Sequence, residues 1–214
     1  TTADNNTAVG YLALLSNTTG TQNTAVGSLS LDAVTTGGQN TAIGYGAGTA
    51  ATGDGGTYVG YNAGAAVTTA GLNTVVGSYA FDAATTAGES VAIGYAALTT
   101  NTTGASNTAV GYNALALNTT GANNVAIGKD ALDSNTTASN NVAIGNDSLQ
   151  ANTTGARNVA VGRGTLQTNT TASNNTAVGD EALFANTTGA QNVAVGHSSL
   201  QQNTEGQYNT AIGD

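Results

Sequence analysis

Few side chains here are equipped for chemistry, and their spacing decides what they can do. His197 is the only histidine in 214 residues, and there is no cysteine, methionine, tryptophan or proline. General acid–base or metal work needs convergent partners. His197 stands where equivalent points of the sequence carry Tyr, Ser, Lys, Asn, Arg or Asp, so it is expected to be a surface group. Asp32, Asp82 and Asp133 share one repeat position in every third copy, but stacked strands would hold them roughly 14 Å apart, too far to share a calcium ion. Asp130 and Asp147 would be about 5 Å apart. They lack the further oxygen ligands of a calcium loop and read as surface charge beside Lys129 and Arg163. Tyr11, Tyr45, Tyr61, Tyr95 and Tyr112 share one repeat position, a column suited either to stacking on sugars or to exposed aromatic packing. Triplets such as Asn17-Thr18-Thr19 and Asn152-Thr153-Thr154 match glycosylation acceptors, but as words of the repeat they read as structural. No catalytic residue, cofactor site or metal ligand is assigned.

What must position these residues is a repeat. The word N-[T/V]-A-[V/I]-G closes on Gly10, Gly27, Gly44, Gly60, Gly77, Gly94, Gly111, Gly128, Gly145, Gly162, Gly179, Gly196 and Gly213. Every step is 17 residues except the 16 from Gly44 to Gly60. A fixed period of this length marks an architecture in which each unit buries its apolar face by stacking on its neighbours. With the Asn as position one, the consensus is N-T-A-V-G-Y-x-A-L-x-x-N-T-T-G-A-x.

Positions two to four alternate as a strand does. Position four is always Val or Ile and is expected to form an inward ladder, sharing its face with Thr or Val at position two. Position three, Ala in eleven of thirteen copies, is expected to point outward. The invariant Gly at position five suits a positive φ or a close backbone approach, and Leu at position nine supplies a second inward contact. Positions twelve to fifteen look like a second turn. Asn at position one would stack into an amide ladder. The reading is all-β: a parallel β-solenoid of 12–13 flattened coils with two short strands each, forming one array over residues 1–214. The coils at 40–72 are irregular. There the deletion, Gly48 and Gly64 in place of Leu, and Tyr58 in place of Ala predict a narrowing, bend or bulge. At about 4.8 Å per coil the rod would be roughly 60 Å long.

Composition removes several function classes. With net charge −9 and only Lys129, Arg157 and Arg163 as fixed cations, nucleic-acid binding is not expected. No apolar run reaches the ~20 residues of a membrane-spanning helix, so membrane insertion is not expected, and no signal peptide is visible. The chain starts and stops within the repeat and reads as a segment of a longer array.

The word N-T-A-I-G-Y-x-A-L-x-x-N-T-T-G-x-x is similar to repeats in the shafts of phage tail fibres and bacterial tail-fibre-domain proteins. The shorter N-x-A-[V/I]-G-x-x-[A/S], seen at Asn6–Ala13, Asn107–Ala114 and Asn124–Ala131, resembles head repeats of trimeric autotransporter adhesins. The resemblance covers essentially the whole chain. It implies a left-handed parallel β-roll, homotrimerisation, and a shaft or adhesive surface on a virion or outside a cell. The period of 17 departs from the shorter adhesin repeat. The expected function is a structural spacer that holds a receptor-binding tip. The alternative is a binding module whose own surface meets a host receptor or glycan, at the five tyrosines. A self-polymerising filament and an ice-binding solenoid with a Thr-Thr column are further readings. No enzymatic activity is expected.

Overall fold

In the computed structural model, which describes residues 2–214, the chain is all-β and divides into two units, Thr1–Asn107 and Thr108–Asp214. The first carries β1 (Thr7–Val9), β2 (Thr24–Val26), β3 (Thr41–Ile43), β4 (Thr57–Val59), β5 (Thr74–Val76) and β6 (Val91–Ile93). The second carries β7 (Thr108–Val110), β8 (Val125–Ile127), β9 (Val142–Ile144), β10 (Val159–Val161), β11 (Thr176–Val178), β12 (Val193–Val195) and β13 (Thr210–Ile212). Within each unit consecutive strands pair in parallel and in strict register, Thr24 on Thr41 and Val142 on Val159. Both units are therefore parallel β-solenoids in which like residues stack into columns.

Each coil has one strand rather than the two expected. Between positions six and twelve the chain makes successive tight turns, with Asp130 and Asp147 at position seven and Leu132 and Leu149 at position nine all at φ 51–57°. This left-handed conformation disfavours side chains by about 1–2 kcal/mol per residue. It is held by hydrogen bonds in both directions along the stack. The Asp147 N–H donates back to Lys129 O at 3.0 Å, while the Leu149 N–H donates forward to Thr165 O at 3.0 Å. A Val/Leu alternation rule cannot see this, because Leu is an unusual residue at positive φ.

The faces of the strand are inverted from expectation. The position-three alanines are the buried ones: Ala25, Ala42, Ala92, Ala126, Ala143 and Ala160 are fully inaccessible. The position-four residues point out, 43% exposed at Ile43 and 37% at Ile144. Position two is half-buried beside them. The reason is volume. The interior of one coil already contains the position-nine leucine, Leu132 or Leu149 for example, together with alanines at position eight and asparagines at positions one and twelve, all buried. Between that layer and the strand the regular coils leave room for a methyl group, and larger side chains enter only at Tyr58 and Val75, beside the glycines that replace leucine.

Position five behaves as expected: Gly128 has φ +135°, and a Cβ there would lie 2.5 Å from the Gly145 carbonyl oxygen in the next coil. The irregular stretch does not bulge the sheet, since β3, β4 and β5 keep their register through it. Tyr58 instead turns into the coil and fills the space of two missing leucines. A Cβ on Gly48 would meet its ring at 2.8 Å, one on Gly56 at 2.5 Å, and one on Gly64 would overlap it.

Candidate functional site

Two asparagine columns hold the coils of the second unit from within, and the first unit keeps them in part. At position one the main-chain N–H donates to the side-chain oxygen of the preceding coil's asparagine, as from Asn141 to Asn124 at 3.0 Å and Asn158 to Asn141 at 2.9 Å. The expected amide-to-amide ladder lies at position twelve instead. Asn135, Asn152, Asn169 and Asn186 each donate through Nδ2 to the oxygen one coil before, at 2.8 to 3.1 Å. Both columns converge on one carbonyl per coil: Gly155 O accepts from Asn141 and from Asn152, each at 2.9 Å. Such fully paired amides meet the requirement for burying polar groups. They also answer the glycosylation question for Asn152, whose amide is buried and engaged.

The surface presents two features beside each other in sequence. One is the outward ladder of Val and Ile at position four, with uncharged Thr or Val at position two. The other is the position-six and position-seven column that follows the glycine turn. In the first unit this column is aromatic. Tyr45 and Tyr61 stack with ring centroids 5.3 Å apart at 13°, Tyr61 meets Tyr79 at 5.3 Å and 67°, and Tyr79 meets Tyr95 at 6.2 Å and 80°. Tyr79 sits at position seven, one residue out of phase, so a search of position six alone misses it. Burial of its hydroxyl, then the neighbouring Tyr61, pushes the Tyr79 phenol above its ordinary pKa. Tyr11 is exposed in the same unit, where the next copy carries Ser28 in place of tyrosine. Tyr112 lies in the second unit and is exposed.

In the second unit the column is charged. Lys129 bonds Asp130 at 2.5 Å, and Arg163 bridges Asp180 and Glu181, both at 2.8 Å. These carboxylates raise the pKa of each cation. Burial, then the nearby Asp130, raises the Asp133 carboxyl. Asp32 and Asp82 each accept a hydrogen bond from a threonine of the following coil, Thr49 and Thr99. His197 Nδ1 lies 2.7 Å from Asp214 Oδ1, both groups exposed. Among the described residues, no group of three or more His, Asp or Glu side chains is placed to hold a metal ion. The position-thirteen threonines bond along the stack, Thr136 Oγ1 donating to Thr153 O at 3.2 Å and Thr153 Oγ1 to Thr170 O at 3.1 Å.

Comparison with protein-family models, curated proteins and solved structures finds no match for this chain.

Proposed function

We propose that this chain is a structural shaft segment of a fibre on a virion or outside a cell, built from parallel copies of itself, most simply a homotrimer of left-handed β-rolls, and serving to hold a receptor-binding tip. The observation that carries the reading is the outward column of Val and Ile. Val or Ile at position four and Thr or Val at position two give each unit a flat strip of β-branched side chains with no charge in it. In each unit that strip is repeated in register by the parallel strands. Apolar area on this scale gains about 25 cal/mol per Å² when covered, and a strip of identical rungs fits another copy of the same strip. The rest of the coil is built of turns, as a spacer requires.

The test is the oligomeric state. Sedimentation of the chain should give the mass of three copies, and Ile127→Asp with Ile144→Asp should reduce it to one while the β-type circular dichroism is kept. A monomeric wild-type chain, or an assembly indifferent to these substitutions, removes the reading.

The second reading, a surface that recognises a glycan or receptor, is favoured by one observation, the run of exposed phenols in the first unit. The stacked faces of Tyr45 and Tyr61 leave edges and hydroxyls for a sugar rather than open ring faces. Binding on a glycan array that Tyr61→Ala and Tyr95→Ala abolish would support it, and absence of binding at every glycan would leave the spacer alone.

A further inference from the structure

The tyrosine run in the first unit has properties that the spacer reading does not use. The chain contains no cysteine, methionine or tryptophan, so the side chains that ordinarily take up oxidising equivalents first are missing. Phenols are the easily oxidised groups that remain. Tyr45, Tyr61, Tyr79 and Tyr95 are open to solvent, from 37% at Tyr79 to 49% at Tyr95. Their successive ring centroids are 5.3, 5.3 and 6.2 Å apart. The Tyr61 and Tyr79 rings meet edge to face, with centroids 5.3 Å apart and planes inclined at 67°. A biphenol joined ortho to ortho has its rings twisted out of one plane, and this pair is already close and inclined in that sense. Exposed side chains rearrange in ps–ns, so ring approach does not limit coupling.

We propose that Tyr45, Tyr61, Tyr79 and Tyr95 form a site of dityrosine cross-linking within one chain, with Tyr61–Tyr79 the favoured pair and hydrogen peroxide, acting through a haem peroxidase, the oxidant. Each phenol gives up one hydrogen atom, an electron together with its hydroxyl proton. The two phenoxyl radicals join by a new C–C bond between carbons ortho to oxygen. The two displaced ring protons move to the oxygens and restore both aromatic rings. The two hydrogen atoms removed in the first step convert one hydrogen peroxide to two waters. The link joins neighbouring coils covalently across a stack otherwise held by hydrogen bonds and thin packing. It is formed inside one chain and does not rest on self-assembly.

The experiment treats the full chain, at about 10 µM, with hydrogen peroxide and a haem peroxidase, then measures dityrosine fluorescence and maps the links by peptide mass. Groups held side by side have effective concentrations of millimolar or more, so links within the run should exceed all others by about 100-fold. Tyr61→Phe with Tyr79→Phe keeps the rings, removes the radical-forming hydroxyls and should abolish most of the fluorescence. The proposal is overturned if links spread evenly over the exposed tyrosines, including Tyr11 and Tyr208, or if they chiefly join the same tyrosine of two chains. It is equally overturned if the yield is unchanged in the double variant or in chain unfolded by denaturant before oxidation.

Discussion

Tyr58 shows at the residue scale how the interior is filled. It replaces an alanine on the strand, and the two position-nine leucines that would collide with it are glycines, Gly48 and Gly64. Those glycines keep φ +58° and +61°, close to the 52° of Leu149 at the same position. Tyr58→Ala alone should empty the site and cost about 3–5 kcal/mol, as large-to-small core changes do. Adding Gly48→Leu and Gly64→Leu restores the ordinary coil and should recover most of that loss, read as the denaturant midpoint of the three variants. Burial pushes the Tyr58 phenol up to about 12, partly offset by the nearby Asn73 side-chain amide. Its folded pKa lies above the unfolded value of about 10, so the folded state holds the proton more tightly. That stabilisation is whole below pH ~10 and is lost as pH rises towards ~12, a change of roughly 2–3 kcal/mol. Tyr58→Phe should flatten this loss relative to wild type in melts at about pH 9 and about pH 11.5.

At the scale of the element, the coil is a strand of three residues closed by turns, and its cohesion comes from the asparagine columns as much as from apolar packing. In the second unit the position-twelve amides run unbroken from Asn118 to Asn203, each donating to the one before. In the first unit Val34, Ala51, Val67 and Ala84 take their place, all buried. Where the two kinds meet, the Asn17 Oδ1 facing the Val34 coil has no hydrogen-bond partner. Asn152→Val reproduces that junction in the middle of the ladder. It strips a donor from Asn135 Oδ1 and an acceptor from Asn169 Nδ2, and should cost about 1–3 kcal/mol in a denaturant melt.

At the scale of the whole molecule, the outward Val and Ile column leaves apolar rungs exposed, which assembly would cover. If the shaft reading holds, folding is linked to association, and the melting temperature should rise with chain concentration by mass action. A scan over a range of concentrations checks this, and Ile127→Asp with Ile144→Asp should make the transition lower and independent of concentration. The salt bridges of Lys129 and Arg163 lie on exposed side chains and should contribute little, since water and salt screen surface pairs.

The repeat period, the strand at positions two to four, the glycine turn and the inward leucine were all legible in the amino-acid sequence. Each depends on neighbours a few residues away or on the 17-residue recurrence itself. Alternation along the strand also showed that position three faces away from positions two and four. It could not show which side was inside, and hydrophobicity pointed the wrong way. That choice belongs to the opposite wall of the coil, where leucines at positive φ and buried amides leave space for only a methyl group in the regular coils. The one sequence clue was the joint exchange at Tyr58, Gly48 and Gly64, a trade of volume that places strand and leucine in the same cavity. Likewise, Tyr79 joined the aromatic run only once the turn had brought position seven of one coil beside position six of the coils on either side.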